Sequence, residues 1–252
     1  MPSEYRVDLH VKVLDADVVR RAKRAGLDAL VYAPHFTPLP EIEATARRYS
    51  DDELSIIPAR EIFTGSWRDR RHVLALDLDE PVPDFISLRA TMEECARQDA
   101  IVLVPHPTFA TVSLGEPELR TYREQIDAIE VFNPKHLPTH NRRARRLATE
   151  LDVPPFTSSY AHLRRTVGIS RTVFDGEIGS RASLFDALRR GEPRTIVHRN
   201  GRKRVATTAL ELAHLAWENT WQKLDRIVLS GTESTHPSDP LYDGRFDDVT
   251  VY

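Results

Sequence analysis

The feature that most constrains the fold is a run of alternating residues near the N-terminus, residues 5–13 (YRVDLHVKV). Apolar residues occupy every second position of the run, which is the period of a β-strand. The positions between them face the other way, and they carry three successive ionisable side chains: Asp8, His10 and Lys12. A strand with such side chains near its C-terminal end, just before a helix, is typical of a site in an α/β barrel. The alternative for this stretch alone is an edge strand whose polar face meets water.

Strand and helix patterns alternate along most of the chain. Further strands are predicted at residues 28–33, 54–62, 71–76, 100–104, 126–132, 155–159 and 195–198. Helices are predicted at residues 17–25, 40–49, 87–97, 141–151 and 183–190. Repeated β–α units with short connections favour an α/β fold, in which helices cover a parallel sheet that is closed or nearly closed.

The pattern changes beyond about residue 200. A long helix is predicted over residues 210–229, where Trp217 and Trp221 are expected to pack against other apolar side chains. Turn-forming residues are frequent after this helix. We therefore expect a barrel domain at residues 1–199 and a small, mostly helical appendage at residues 200–252 that packs on it.

Composition indicates a globular protein of the cytoplasm. Cys95 is the single cysteine, so no internal disulfide can form. The N-terminus lacks the apolar core of a signal peptide, and no apolar run approaches the roughly 18 residues that suggest a membrane span. The formal net charge of −3 gives no strong overall attraction to nucleic acid or to a membrane.

Histidine and glutamate side chains recur where predicted strands end. His10, His35, His106 and His162 lie at or just after strand ends, Glu61 and Glu130 lie at similar places, and His72 instead opens a strand. One histidine at such a place is commonly structural, but four at matching positions would converge at one end of a barrel. Imidazole and carboxylate ligands suit Zn²⁺, Mn²⁺ or Fe²⁺. A carboxylate that bridges two such ions suits phosphoryl hydrolysis.

Seven short motifs follow one another in barrel order: DLHVK, YAPHFT, IPAREI, RHVLAL, LVPHPTF, AIEVFN and TSSYAH. Together they resemble the PHP (polymerase and histidinol phosphatase) family over about residues 5–200. The resemblance implies a distorted (β/α)₇ TIM-like barrel and a metal-dependent phosphoesterase with two or three ions. The segment after residue 200 is similar to the region that often follows a PHP domain.

The resemblance implies a set of metal ligands: His10, His35, Glu61, His72, His106 and His162. The sequence departs from the family pattern at three positions. Lys12 stands in place of a histidine, and Pro34 and Tyr160 each stand in place of an aspartate. The expected catalytic residues are His10, Lys12, Glu61, His106 and Tyr160.

The departures fall unevenly on the implied metal sites. The first site has its complete ligand set: Glu61, His72 and His106. The second site keeps only His10 and Glu61. We expect the Lys12 ammonium to lie near Tyr160, where the second ion would be, and to pair with Glu61. One well-formed site for a divalent ion is therefore expected, and at most two or three.

Other residues beside the motifs have less specific assignments. A third metal site would use His35 and His162 with either Asp15 or Asp17. Four basic side chains either hold a phosphate or are solvated surface charges: Arg60, Lys135, Arg164 and Arg165. Arginine clusters at residues 68–71, 142–146 and 199–204 favour a solvated mixed-charge face, with RNA contact as the alternative. His136 and His140 are expected at the rim of the site, and His236 has no predicted place.

Two classes of function are compatible with these patterns. The first is a metal-dependent phosphoesterase whose substrate is a small phosphate ester or a nucleic-acid phosphodiester, and the complete first ligand set favours it. The second is a non-catalytic RNA- or protein-binding module similar to the PHP-like protein subunit of ribonuclease P, and the changes at Lys12 and Tyr160 favour it. The sequence favours the enzyme.

Overall fold

The computed structural model describes residues 4–66, 69–109, 112–176, 178–198 and 234–251. Nine strands lie within these ranges: β1 (Glu4–Val11), β2 (Ala29–Tyr32), β3 (Ser55–Thr64), β4 (Arg71–Leu76), β5 (Ile101–Val104), β6 (Ala128–Phe132), β7 (Pro155–Thr157), β8 (Ser170–Asp175) and β9 (Arg194–His198). They form one sheet in the order β7-β6-β5-β4-β3-β2-β1-β8-β9.

Six α-helices lie in the same ranges: α1 (Ala16–Arg24), α2 (Leu39–Tyr49), α3 (Leu88–Arg97), α4 (Glu116–Thr121), α5 (Pro138–Glu150) and α6 (Arg181–Arg189). Side chains at their N-termini fix where several of them begin. Asp15 accepts hydrogen bonds from two backbone N–H groups of α1, and Ser87 and Ser180 cap α3 and α6 in the same way. Each cap satisfies donors that have no partner within the helix.

One face of the sheet surrounds an apolar core. Strands β1 to β8 and helix α6 all contribute to a single buried cluster, which includes Val7, Leu9, Val31, Ile57, Leu74, Leu76, Leu103, Phe156, Phe174 and Leu188. The cluster joins Phe156 of β7, at one edge of the sheet, to Phe174 of β8, near the other. A flat sheet could not bring these two side chains together, so the sheet is curved into a barrel.

The barrel is nearly closed where β7 approaches β1 and β8. Val11 and Ala161 form an isolated parallel bridge, and the Lys12 backbone N–H donates to the Ala161 carbonyl at 2.9 Å. The Thr157 backbone N–H donates to the Thr172 hydroxyl at 3.0 Å, so a side chain replaces a backbone acceptor here. The predicted class, a distorted α/β barrel, is confirmed.

The expectation of a parallel sheet is wrong for β8 and β4. Strand β8 runs antiparallel to its neighbours β1 and β9. Strand β4 follows β3 after only six residues and runs antiparallel to both β3 and β5. Gly65 has φ +77°, and a Cβ at this position would lie 2.2 Å from the Asp69 carbonyl oxygen. The reversal brings His72, at the start of β4, to the edge where the neighbouring strands end.

The sequence patterns did not predict β8 or α4. The buried face of β8 carries Ser170 and Thr172 beside Phe174, so it lacks the apolar alternation that indicates a strand. The Thr172 hydroxyl also donates to the Thr157 carbonyl, which makes these polar residues acceptable in the interior. Helix α4 has only six residues, too few for a helical period to be recognised.

The tail at residues 234–251 packs against the barrel. Tyr242 and Phe246 are buried in the apolar cluster that also contains Ile62 and Ile86. The Val251 backbone N–H donates to the Phe85 carbonyl at 2.9 Å. The predicted helix at 210–229, with Trp217 and Trp221, and the arginine cluster at 199–204 lie outside the described residues. The boundary near residue 200 stays a prediction.

Within the described ranges, every helix falls short of the length and apolar character that crossing a membrane requires.

We expect Phe246→Ala to lower the free energy of unfolding by about 3–5 kcal/mol, because it removes a buried aromatic side chain and leaves a cavity. Leu241→Ala is the matched control in the same tail, since Leu241 is 40% exposed, and it should change stability by less than about 0.5 kcal/mol. Urea unfolding followed by far-UV circular dichroism measures both. Equal effects of the two substitutions would show that the tail is not anchored through Phe246.

Candidate metal centre

The site is built around the carboxylate of Glu61, which lies on β3 and is completely buried. A carboxylate at such a position needs positive or hydrogen-bonding partners on both oxygens, because burial without them is costly. The structure supplies different partners to the two oxygens.

Three histidines surround Oε1 of Glu61. His72 Nδ1 lies 3.3 Å from it, His106 Nε2 lies 3.2 Å from it, and His10 Nε2 lies 3.6 Å from it. The three come from different elements: His10 from β1, His72 from the reversed strand β4, and His106 from the loop after β5. The resemblance grouped His10 with a second ion, whereas its ring nitrogen faces the same oxygen as the first-site histidines.

Lysine and one histidine contact Oε2 of Glu61. The Lys12 ammonium donates to it, and His35 Nε2 lies 2.9 Å away. The same ammonium donates to the Ala33 carbonyl at 2.6 Å. The two oxygens of Glu61 thus have separate environments, one made of three imidazoles and one that contains a cation.

The ionisation states follow from burial and from these contacts. Burial lowers the pKa of His10 and of His35 to about 3, with Lys12 as a further cause, and it lowers the pKa of His72 as well. Burial alone would raise the pKa of Glu61, but Lys12 and the nearby histidines hold it well below its usual value. Burial lowers the pKa of Lys12 to about 8 against the opposing effect of Glu61. The expected state at neutral pH is therefore an ionised carboxylate, a mainly protonated lysine and neutral imidazoles at His10, His35 and His72.

His106 is held by residues whose roles the sequence did not reveal. Its backbone has φ +34°, and its N–H donates to Glu130 Oε2 at 2.7 Å. Its Nδ1 lies 3.0 Å from the Ser113 hydroxyl, so Nε2 faces Glu61. Glu130 also accepts a hydrogen bond from Ser158 at 2.7 Å. Glu130 therefore positions the loop that carries His106.

Asp8, on β1, has a similar positioning role. It is fully buried and accepts hydrogen bonds from the backbone N–H groups of Ser159 and Gly168, at 2.8 and 2.9 Å. Burial raises its pKa to about 6 in spite of these donors. These bonds join β1 to the loop that carries Tyr160 and His162, so Asp8 fixes the position of that loop.

Tyr160 covers one side of the cluster. Its ring centroid lies 4.8 Å from that of His10 and 5.1 Å from that of His106. The Lys135 ammonium lies 4.3 Å from the Tyr160 centroid, and it contacts His162 Nδ1 at 2.9 Å. Tyr160 has φ +48°, a strained conformation that non-glycine residues adopt mainly where function or tight packing requires it.

The remaining predicted residues have varied environments. Asp15 caps α1 and pairs with Arg164 at 2.6 Å, and Asp17 pairs with the same arginine at 3.1 Å. The rings of His35 and His162 are 5.5 Å apart, and Asp15 lines the same cleft as His162. The third metal site therefore stays a prediction.

Arg60 does not serve as a phosphate-binding residue. Its side chain is completely buried, its Nη2 lies 3.0 Å from Asp84 Oδ1, and its Nη1 donates to the Thr37 carbonyl. A buried arginine with this ion pair and carbonyl contact is a structural cation that no substrate can reach. Both alternatives predicted for Arg60, a phosphate-binding residue and a solvated surface charge, are wrong for this reason.

The histidines expected at the rim form an aromatic group with Phe109. The His136 ring stacks on Phe109 with 4.1 Å between centroids, and the His140 ring lies 5.6 Å from it. His136 is buried, and its ring is 6.4 Å from that of His106. His236 lies apart from this group, in the tail, where it contacts Phe85 and Ser238.

The donor set fits a divalent metal ion. Glu61, His72 and His106 offer ligand atoms that all lie within 4.8 Å of one another. Ligands about 2.0–2.1 Å from a tetrahedral ion are about 3.3 Å apart, which is close to the separations of His72 and His106 from Oε1. In the described part of the chain, both ring nitrogens of His10 and of His72 are buried without a hydrogen-bond partner. A bound ion would satisfy such atoms.

Comparison with known proteins finds a family model that matches part of the chain. Residues 138–193 match the PHP-associated family. This match lies between the start of α5 and the start of β9, before the segment that was expected to resemble a PHP-associated region. MJ1587, an uncharacterized protein of Methanocaldococcus jannaschii, is 25% identical over 121 residues, or 48% of this chain and 66% of that protein. The alignment thus covers just under two thirds of the relative.

Two solved structures share the fold. The structure of PsfC from Pseudomonas syringae has a TM-score of 0.62 at 18% identity, and the match covers 84% of this chain and 99% of PsfC. The lesion-specific endonuclease Q of Pyrococcus furiosus has a TM-score of 0.57 at 16% identity. That match covers 77% of this chain and 58% of the endonuclease. The matched segment supports the predicted resemblance to the PHP family, and the two structures show that the barrel fold is shared.

Replacing His106 tests the metal centre. We expect the wild-type protein, purified without chelator, to contain about one divalent ion per chain, because a carboxylate and two imidazoles form a sufficient ligand set. His106→Ala should abolish retention of this ion. His140→Ala is the control, since it removes a nearby histidine outside the ligand set, and it should retain the ion. Inductively coupled plasma mass spectrometry measures the content, and full retention in His106→Ala would contradict the assignment.

Proposed function

We propose that this protein is a metal-dependent phosphoesterase that hydrolyses a phosphate ester. The observation that supports the proposal most strongly is the buried Glu61 carboxylate with His10, His72 and His106 around one of its oxygens. Glu61, His72 and His106 would hold the ion. When bound, a divalent ion supplies polarisation of a phosphoryl oxygen and activation of a water molecule. Zinc, manganese and iron all suit this ligand set.

The side chains around the ion complete the proposed site. His10 lies beside the same Glu61 oxygen and is positioned either to join the ligands or to accept a proton. Lys12 provides a positive charge, which favours the binding of a negatively charged phosphoryl group over the binding of a neutral group. Tyr160 limits the space above His10 and His106, so we propose that it restricts how a substrate enters.

An open cleft reaches this group from outside the barrel. It has a volume of about 550 Å³ and is lined by Lys12, Asp15, Tyr32, His162, Arg164 and Arg165, among others. Lys12 has two acceptors among the described residues, Glu61 and Ala33, whereas an ammonium has three donors. We propose that the remaining N–H group serves a phosphoryl oxygen bound in this cleft.

A nucleic-acid phosphodiester is the substrate class that we propose within this activity. Endonuclease Q, which shares the fold, has been crystallised with a duplex that carries an abasic lesion at its active site. In this chain, Arg142, Arg143 and Arg146 line a groove of about 350 Å³ on α5. Helix α5 begins three residues after Lys135, whose ammonium contacts His162 beside the site. The intact ligand set around Glu61 gives the non-catalytic RNA-binding alternative no support.

Glu61→Gln tests the hydrolytic function. We expect hydrolysis of a generic aryl phosphate ester or diester to require added divalent metal and to fall by at least about 100-fold in this variant, because a neutral amide replaces the shared carboxylate ligand. Glu41→Gln on the exposed surface of α2 removes the same charge away from the site and should keep full activity. Activity that survives Glu61→Gln would come from a contaminant or from another site.

Charge reversal on α5 tests the substrate class. We expect Arg142→Glu with Arg143→Glu to raise KM for a single-stranded oligonucleotide about tenfold at low salt, because the groove would lose its attraction for the phosphate backbone. Hydrolysis of the small aryl ester should not change. Arg47→Glu with Arg48→Glu, in the last turn of α2, is the matched control. An equal effect of both pairs on the oligonucleotide would show that overall charge, and not the groove, is responsible.

A further inference from the structure

The two oxygens of Glu61 give the site an asymmetry. Oε1 faces His72 and His106, which complete the donor set for one ion. Oε2 faces the Lys12 ammonium. A carboxylate that bridges two metal ions directs one oxygen to each of them. Here the second oxygen is directed to a lysine, so the side of Glu61 that could meet a second ion already meets a cation.

Lys12 is held at this place by its surroundings. Only 4% of its side-chain surface is exposed, and its ammonium donates to the Ala33 carbonyl as well as to Glu61. Moving an ammonium out of water costs several kcal/mol unless acceptors compensate for the loss of hydration. One acceptor lies just after β2 and the other on β3, and together they fix the position of the ammonium. A solvated lysine would make no such pair of contacts.

Tyr160 occupies the same region with an aromatic ring and not with a metal ligand. The Lys12 ammonium lies 5.9 Å from the centroid of its ring, which also packs against His10. An aromatic face attracts a cation such as an ammonium but offers no ligand to a divalent ion. Lys12 and Tyr160 thus belong to one local arrangement, in which a cation and an aromatic face lie next to each other.

We propose that the Lys12 ammonium takes the place of a second metal ion, so that the centre binds one divalent ion where a two-ion site would otherwise form. The inference rests on the metal centre proposed above, but it does not depend on which ester is hydrolysed. The single charge of the ammonium balances the Oε2 side of Glu61 without requiring metal. One bound divalent ion and the Lys12 ammonium would then together supply the positive charge of this site.

Restoring metal ligands at both positions tests the proposal. The double variant Lys12→His with Tyr160→Asp removes the ammonium and adds two ligands beside His35 and Oε2 of Glu61, which together make a four-ligand shell. We expect isothermal titration calorimetry with Mn²⁺ or Zn²⁺ to give about one ion per chain for the wild-type protein and one more for the double variant. Tyr160→Asp alone is the matched control, because it adds a carboxylate but keeps the ammonium, and it should still bind one ion.

The outcomes separate this inference from the metal centre itself. A wild-type protein that binds no ion would overturn the centre. A wild-type protein that binds one ion, with a double variant that also binds only one, would overturn the role of Lys12 alone. Two ions in the wild-type protein or in Tyr160→Asp would do the same, since the ammonium would then leave room for a second ion.

A second variant keeps the test decisive if the double variant does not fold. Lys12→Met has nearly the same length but no charge, so it removes the repulsion between the ammonium and an ion that shares Glu61, together with the hydrogen bonds of the ammonium to Glu61 and Ala33. We expect the first ion to bind about tenfold more tightly in this variant, as Coulomb repulsion over a few ångströms predicts. Competition titration with a coloured chelator measures the dissociation constant. Unchanged or weaker binding would show that Lys12 is not a competing cation.

Discussion

The structure depends on the burial of one ionised carboxylate, Glu61, at the end of a barrel. A buried charge without partners would be very costly, so the surrounding elements must bring compensating groups to it. β1 brings His10 and, just beyond its end, Lys12, and the reversed strand β4 brings His72. The requirement thus links strands that are far apart in the sequence. The same arrangement that satisfies the carboxylate also forms a ligand set for a divalent ion.

A further layer of buried polar groups keeps this arrangement rigid. Asp8 and Glu130 hold the backbone of the loops that carry Tyr160 and His106, each through hydrogen bonds from main-chain N–H groups. Arg60 and Asp84 form a buried pair on the other side of β3. Asp84 also accepts from Phe63 N–H, and its own N–H donates to the carbonyl of Thr235 in the tail. Acidic groups near the site therefore have separate tasks, because only Glu61 faces the histidines.

The asymmetry of Glu61 connects the electrostatics of the site to its proposed chemistry. A lysine and a divalent ion both neutralise a carboxylate, but the lysine is part of the chain and is present at any metal concentration. An ion can also accept ligands from a substrate and from water, which an ammonium cannot do. A centre with one ion and one lysine would keep two positive groups near a phosphoryl group. Such a centre would need only one exchangeable cofactor, the divalent ion.

Much of the fold and of the site could be predicted from the sequence alone. The alternation in β1, the apolar strand before His106 and the caps of α1 and α3 are local signals, and the structure has these elements close to the predicted positions. Only the tertiary structure decided the reversal of β4, the burial of Arg60 and the placement of His10 and Lys12 at different oxygens of Glu61. Period-two patterns are identical for parallel and antiparallel strands, and the letters of a motif do not say where a long side chain ends. Those outcomes depend on which buried charges must meet across the barrel, and that is a property of the whole chain.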